Sequence, residues 1–184
     1  MAMTPARVVL TYRDYEALPN DGRRYEIHEG ELSVTAAPRT RHQEVSIRLA
    51  SALHVHVTSR GLGKVFHAPT AVILSDISVV EPDIVYVASD RLEQIRERGI
   101  EGPPTLAVEI LSPSTAPVDR QTKRQLYARY GVPWYWIVDP DGRSVEVYRL
   151  ADGAYALSAR VGPDEPLSAE PLPDLVIPPS ALWA

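Results

Sequence analysis

One acidic side chain of this sequence, Glu109, lies in a stretch whose other residues are all apolar. The stretch spans residues 106–111 and reads Leu-Ala-Val-Glu-Ile-Leu, a composition typical of a central strand that is covered on both faces. An ionised carboxyl in such a strand is costly unless a cation or hydrogen-bond donors compensate it. Glu109 is therefore half of an internal ion pair, a strand residue that points at solvent, or an acid held in place for chemistry.

A second acid, Asp83, stands directly before another β-type stretch, residues 84–87. Pro82 has a fixed φ angle and biases Glu81 towards an extended backbone, so Asp83 is expected at the mouth of that strand. The alternative is an aspartate that hydrogen-bonds its own backbone in a turn. If Asp83 and Glu109 occupy neighbouring strands, their like charges are unfavourable unless a cation lies between them. Because the chain has neither cysteine nor a histidine pair at helical spacing, such oxygen ligands favour Mg²⁺ or Mn²⁺ over Zn²⁺.

Lys123 lies on the predicted helix that follows the Glu109 strand, after a short loop at residues 112–115. The connection is short enough to bring this helix back over the strand. A lysine there would orient or polarise an attacking water, or offset negative charge on a phosphate in the transition state. The alternative is a solvated helix lysine, which is the usual environment of this residue type.

The elements that must position these residues follow from hydrophobic periodicity and from turn signals. Helices are predicted at residues 11–18, 41–60, 92–98 and 118–130. Strands are predicted at residues 25–28, 31–34, 65–66, 71–74, 84–87, 106–111, 134–138, 144–150 and 154–159. The long helix carries an apolar stripe in which residues recur every four positions, namely Val45, Leu49, Leu53 and Val57. These elements predict an α/β fold with one mixed sheet and a helix on each face.

Length and composition indicate a single domain over residues 1–184, with the proline-rich tail at residues 162–184 packed on it. The chain contains no cysteine, which excludes disulfides, thiolate zinc sites and cysteine nucleophiles. No glycine-rich phosphate loop of the P-loop or dinucleotide-binding type is present.

The termini and the charge bear on location and partners. Thr4, Pro5 and Arg7 interrupt the apolar stretch that a signal peptide would need, and no segment approaches the length of a membrane span. A cytoplasmic location without membrane association is therefore expected. The formal net charge is −5, which argues mildly against tight, non-specific binding of nucleic acid, although basic residues cluster at positions 39–48 and 120–129.

The spacing of these residues resembles the PD-(D/E)XK nuclease superfamily, and within it the Uma-type restriction endonuclease family of bacteria. The stretches that carry the resemblance lie in order along most of the chain. They are Tyr25-Glu26-Ile27, Gly30-Glu31-Leu32, His42-Gln43, residues 80–84 (Val-Glu-Pro-Asp-Ile), residues 108–115 (Val-Glu-Ile-Leu-Ser-Pro-Ser-Thr), Asp119 with Lys123 and Tyr127, and residues 131–140 (Gly-Val-Pro-Trp-Tyr-Trp-Ile-Val-Asp-Pro).

The resemblance implies a restriction-endonuclease-like core, in which a mixed central sheet is flanked by helices on both faces and carries extra β-hairpins. It implies Asp83 and Glu109 as ligands of Mg²⁺ or Mn²⁺, with Glu26 as a further acidic residue of the catalytic site. It also implies DNA as the substrate and a homodimer, for which the tail and the last hairpin could supply the contact. The superfamily's usual lysine would stand at position 111, where this chain has Leu111. The resemblance therefore implies Lys123, on the following helix, as the candidate for the catalytic lysine.

Two alternatives to a DNA endonuclease stay open on the sequence. One is a non-catalytic binding or assembly protein on the same fold, favoured by the displaced lysine, the acidic net charge, and apolar tail residues expected to be exposed, such as Leu175, Val176 and Trp183. The other is a metal-dependent phosphoesterase that acts on small nucleotides. His42, near the start of the long helix, is either a structural histidine or a residue that contacts phosphate or assists a water.

Overall fold

The structure is a computed structural model and describes residues 8–183, so the expectation that rests on Thr4, Pro5 and Arg7 lies outside the described residues. Its helices are α1 (Tyr12–Glu16), α2 (Thr40–Ser59), α3 (Arg124–Arg129) and α4 (Pro179–Trp183), with a 3₁₀-helix at Ser89–Gln94 and a π-helical turn at Val118–Lys123. Its strands are β1 (Arg24–His28), β2 (Glu31–Thr35), β3 (Gly63–His67), β4 (Val72–Ser75), β5 (Ser78–Val80), β6 (Ile84–Ala88), β7 (Ile95–Arg96), β8 (Gly99–Glu101), β9 (Leu106–Ile110), β10 (Trp134–Asp139), β11 (Ser144–Ala151) and β12 (Ala154–Val161).

One mixed sheet carries the strands beside which the predicted acids lie. Its strand order is β12-β11-β10-β9-β6-β3, and β9 pairs with β10 in parallel. A parallel pair needs a crossover connection, which the π-helical turn and α3 supply between β9 and β10. All residues of β9 are buried, as expected of a central strand. The predicted mixed sheet is confirmed.

Helices cover both faces of this sheet, as predicted. α2 buries its apolar stripe in a cluster that includes Leu106 and Val108 of β9. α3 buries Leu126 and Tyr127 in a second cluster, which includes Ala107 of β9. Because successive strand residues point to opposite faces, Glu109 shares a face with Ala107 and points towards the side that α3 covers.

A second sheet, with the order β2-β1-β5-β4-β8-β7, was not predicted. The hairpin of β1 and β2 is confirmed, and it joins this sheet through the pairing of Ile27 with Val79 of β5. Strand β5 is only three residues long. Its assignment depends on partners far away in the chain, which local periodicity does not reveal.

The predicted helix at residues 92–98 is wrong. The 3₁₀-helix ends at Gln94, and β7 then turns back to pair with β8, with Ile95 opposite Ile100. Gly99 has a φ of +140°, a conformation that favours glycine. A side chain at this position would also meet the backbone of Ala71. The tertiary pairing therefore overrides the helical propensity of the segment.

The proline-rich tail packs under α2. Its buried side chains belong to the cluster that α2 shares with the sheet, and they are Leu167, Leu172, Leu175, Ile177 and Leu182. The expected exposure is therefore wrong for Leu175, which is buried in that cluster, and for Trp183, which is half-buried against it, whereas Val176 is exposed. Of the helices in the described range, none combines the length and the apolar character needed to cross a bilayer.

Candidate active site

Asp83 and Glu109 come together because β6 and β9 lie side by side. The antiparallel register sets Ile84 opposite Val108, and one further step aligns Asp83 with Glu109. The backbone N–H of Ile110 donates a hydrogen bond to Asp83 Oδ2 at 2.8 Å. Both acids are almost fully buried. The two side chains therefore occupy neighbouring positions at one end of the sheet.

Lys123 reaches Glu109 from the π-helical turn that follows the loop after β9. Its ammonium Nζ lies 3.0 Å from Glu109 Oε1 and 2.9 Å from Glu26 Oε1. The same Nζ lies 3.8 Å from Oδ1 of Asp119, four residues earlier on the turn. Lys123 is only 3% exposed. It is therefore an internal cation among three carboxyl groups, and not a solvated helix lysine.

Glu26 enters the site from β1, in the second sheet. Besides Lys123, its Oε1 accepts a hydrogen bond from the backbone N–H of Glu81 at 2.7 Å. Its Oε2 lies 3.3 Å from Nε2 of His28. The structure thus brings Glu26 to the same lysine as Glu109, across the space between the two sheets.

Three contacts in the site were not predicted. Arg24 Nη2 donates to Asp83 Oδ1 at 2.8 Å, and His42 Nε2 lies 3.1 Å from Asp83 Oδ2. The hydroxyl of Tyr127 donates to Glu109 Oε1 at 2.7 Å. His42 therefore contacts one of the predicted acids.

A signal for Arg24 was present in the sequence. Arg24, Glu26 and His28 alternate along β1 and so share one face of the strand. A row of charged and titratable groups on one face of a hairpin strand indicates a polar site beneath it. The contact between Arg24 and Asp83 spans 59 residues of sequence, and only the tertiary structure shows it.

The site contains more carboxyl groups than permanently charged cations. Its buried carboxyl groups are Glu26, Asp83, Glu109 and Asp119, and its permanently charged cations are Lys123 and Arg24. If every carboxyl group were ionised, a negative excess would remain. Such an excess favours either a retained proton or a bound cation.

Two of the carboxyl groups have raised pKa values. Burial raises the pKa of Glu109 to about 8, although the charge of Lys123 opposes the shift. Burial also raises the pKa of Asp119 to about 6. Burial alone would lower the pKa of Lys123, but the carboxyl groups around it raise that pKa above its usual range. Lys123 therefore stays protonated at neutral pH.

The other two carboxyl groups have lowered pKa values, because their partners outweigh the effect of burial. Burial by itself would raise the pKa of Glu26, but Lys123 and the neighbouring histidine lower it to about 2. For Asp83, burial is likewise outweighed by His42 and Arg24, which lower the pKa to about 2. Neighbouring acids thus occupy different protonation states, a pattern typical of functional sites.

A cavity of about 370 Å³ opens onto these residues. Its wall includes Arg24, Glu26, His42, Asp83, Glu109 and Lys123. The two hard carboxylates and the negative excess fit a Mg²⁺ or Mn²⁺ ion. Within residues 8–183, no three Asp, Glu, His or Cys side chains are placed to hold one ion together. Such an ion would therefore complete its coordination with water, backbone or substrate oxygens, as Mg²⁺ commonly does.

We expect the metal-free protein to lose stability as the pH rises from about 6 to about 8, and Glu109→Gln to reduce this loss. In this window the native Glu109, whose pKa is about 8, still holds a proton that the unfolded chain, with a normal glutamate pKa of 4.5, has already lost. The native state binds more protons below its pKa, so stability falls with pH through the window. Asp119, whose pKa is about 6, is half protonated at the start of this range and contributes to the loss only near pH 6.

Thermal unfolding in EDTA at several pH values, for the wild type and for Glu109→Gln, measures this effect. Equal slopes of Tm against pH in the two proteins would show that Glu109 is ionised throughout and that the raised pKa is wrong.

Comparison with known proteins agrees with the fold. The model of the Uma2 family, described as "Putative restriction endonuclease", matches residues 12–180. A crystal structure from Anabaena variabilis ATCC 29413, described as "a putative nuclease belonging to DUF820", superposes with a TM-score of 0.76 at 20% sequence identity. The match covers 95% of this chain and 97% of that chain, so the similarity extends to the whole fold. No curated protein matches this chain.

Proposed function

Because the chain belongs to the Uma2 family of restriction-endonuclease-like proteins, we propose that it is a metal-dependent endonuclease that hydrolyses phosphodiester bonds in DNA. Asp83 and Glu109 are the proposed ligands of Mg²⁺ or Mn²⁺. Lys123 and Glu26 complete the proposed catalytic group. The similarity of fold to a protein described as a nuclease is consistent with this assignment, but it does not identify the substrate.

One observation carries the proposal. Two buried acids from neighbouring strands and a buried lysine from the following crossover line one cavity, although they are far apart in sequence. Buried charged groups are costly, and a core that served stability alone would be better filled by apolar side chains. The concentration of such groups at the wall of an open cavity therefore supports a role in chemistry.

In this proposal, the bound metal ion would lower the pKa of a bound water and offset negative charge on the phosphate. Lys123 stays protonated, so it acts as a hydrogen-bond donor to the attacking water or to a phosphate oxygen, and not as a base. Tyr127 fixes the orientation of Glu109 through its hydroxyl. Glu26 holds the lysine ammonium from the other sheet.

Cleavage of supercoiled plasmid in Mg²⁺, in Mn²⁺ and in EDTA tests this function. The wild type is expected to nick or linearise the plasmid only with metal, and Glu109→Gln is expected to be at least about a hundredfold slower. Glu97→Gln, a change at an exposed glutamate, serves as the matched control and should be as active as the wild type. Equal rates in all three proteins would remove the assignment of this site.

A non-catalytic binding protein is the second candidate, because both oxygens of Asp83 already have protein partners. Oδ1 pairs with Arg24, and Oδ2 is hydrogen-bonded to His42 and to the N–H of Ile110. This pattern also suits a purely structural ion pair. A metal that binds the native state alone must raise Tm. A wild type whose Tm does not respond to Mn²⁺ and that leaves the plasmid intact would favour this candidate. Hydrolysis of a small phosphodiester without plasmid cleavage would instead indicate a phosphoesterase.

Two further expectations belong to this proposal. The homodimer stays a prediction, which light scattering of the purified protein would test. Because the tail is largely buried, it offers less apolar surface for a dimer contact than expected. The last hairpin still exposes Leu157. The cytoplasmic location also stays a prediction, and it agrees with DNA as the substrate.

A further inference from the structure

Arg24 stands between the proposed active site and a second cavity. The second cavity has a volume of about 460 Å³ and shares with the first the side chains of Arg24 and His42 and residues 36–38. Its other walls include the polar side chains of Gln43, Ser46 and His67, the cation Arg23, and the acids Glu16 and Glu81. Arg24 is therefore the cation that lies between the predicted metal ligands and a polar groove that continues away from them.

The contacts of Asp83 make Arg24 a competitor for any metal ion. Oδ2 of Asp83 accepts hydrogen bonds from its protein partners His42 and Ile110 N–H, whereas Oδ1 pairs with Arg24 at 2.8 Å. A divalent cation that binds this carboxylate meets the guanidinium as a like charge beside the same oxygen. Like charges held close are unfavourable, so metal binding must weaken or break the Arg24–Asp83 pair.

An arginine that loses its partner in this position needs another anion. Its side chain is only 19% exposed, and an unpaired guanidinium in such surroundings is costly. The planar fork of arginine suits the oxygens of a phosphate group. A phosphate of a nucleic-acid strand in the adjoining groove would supply such an anion within reach of the flexible side chain.

We propose that Arg24 is an exchange residue, which pairs with Asp83 in the metal-free protein and binds a DNA backbone phosphate when metal occupies Asp83. This inference rests on the proposed function, since it requires both a metal ion and a DNA strand. The consequence is that metal and DNA bind cooperatively. Metal alone has to overcome the ion pair, and DNA provides the released guanidinium with a new partner.

The exchange predicts effects of opposite sign in Arg24→Gln. Mn²⁺ should bind the variant about tenfold more tightly than the wild type in the absence of DNA, because a competing cation is gone. A short DNA duplex, with Ca²⁺ in place of the catalytic metal, should bind the variant about tenfold more weakly than the wild type. The slope of log K against log salt concentration should become shallower by about 1, as expected for the loss of one phosphate contact. A residue that only supported the structure would weaken both interactions when removed.

Calorimetry with Mn²⁺ alone and fluorescence anisotropy with a labelled duplex measure the two affinities. Arg96→Gln is the matched control, because Arg96 is exposed on β7, at the edge of the second sheet away from β1. It should leave the Mn²⁺ affinity unchanged. If Arg24→Gln does not fold, Arg24→Lys replaces it, and a shorter cation without the fork should still tighten Mn²⁺ binding to a smaller extent.

The two hypotheses fail in different ways. Unchanged or weaker Mn²⁺ binding in the Arg24 variants would overturn the exchange, while metal-dependent cleavage by the wild type would leave the nuclease assignment intact. Tighter Mn²⁺ binding in Arg24→Gln, together with an intact plasmid and no DNA binding by the wild type, would remove the nuclease assignment and the phosphate-binding half of the exchange. Absence of Mn²⁺ binding in every variant would overturn both.

Discussion

Lys123→Met is expected to lower the free energy of unfolding of the metal-free protein by about 3–5 kcal/mol at neutral pH. The change removes the ammonium that lies within 4 Å of Glu26, Glu109 and Asp119. Methionine fills a similar volume, so the loss reflects charge more than packing. The remaining carboxyl groups must then either repel one another or take up protons, and both cost stability.

Urea unfolding in EDTA gives this free energy directly. Lys64→Met replaces the chain's other lysine, which is exposed on β3, and should shift stability by less than about 0.5 kcal/mol. The loss in Lys123→Met should also shrink at lower pH, where the acids are protonated. A variant as stable as the wild type at neutral pH would show that Lys123 is not the cation that balances these carboxyl groups.

The same variant should cleave DNA about a hundredfold to a thousandfold more slowly than the wild type. Lys123 is the proposed donor to the attacking water or to the phosphate, and methionine offers no hydrogen bond. Adding Mg²⁺ should restore part of the lost stability, because the cation neutralises some of the excess acid, but it should not restore the rate. A rate that recovers together with stability would assign Lys123 a structural role only.

Asp83→Asn is expected to abolish the rise in Tm that metal causes and to reduce metal-dependent cleavage by at least about a hundredfold. The amide keeps the shape of the side chain and one oxygen acceptor, but it removes the negative charge that a divalent ion requires. It also leaves Arg24 without its anion. The metal-free variant should therefore be less stable than the wild type by about 1–3 kcal/mol.

Thermal unfolding with and without Mn²⁺, and cleavage of the same plasmid, measure the two effects of Asp83→Asn. Asp164→Asn changes an exposed aspartate and should behave as the wild type in both assays. A full metal-induced rise in Tm in Asp83→Asn would mean that the ion binds elsewhere. Loss of cleavage with that rise retained would restrict Asp83 to positioning the substrate.

Long, strongly patterned segments of the fold could be predicted from the sequence. The predictions of helix α2 and strand β9 are confirmed. Each of these elements contains enough buried residues of its own for the spacing of apolar positions to identify it. Short segments could not be predicted in this way. Strand β5 and the pair of β7 and β8 are two or three residues long, and their conformation is set by strands elsewhere in the chain.

The candidate site shows the same division. Glu109 was recognisable as an acid in an apolar strand, Asp83 as an acid fixed by a proline, and Lys123 as a lysine after a short connection. Their arrangement around one cavity could only be expected from the resemblance to a family. The contacts that set their charge, from Arg24 to Asp83 and from Tyr127 to Glu109, join separate elements of the fold, and no local pattern in the sequence specifies them.

The sequence by itself therefore determined which acidic and basic residues are candidates for chemistry and on which long helices and strands they lie. This was possible because hydrophobic periodicity and the restraint that proline places on the backbone involve residues close together in the chain. Only the tertiary structure decided that Lys123 is buried among three carboxyl groups and that Arg24 neutralises Asp83. Those contacts join residues separated by up to 97 positions in the chain, as between Glu26 and Lys123. Their strength depends on burial, which no local stretch of sequence specifies.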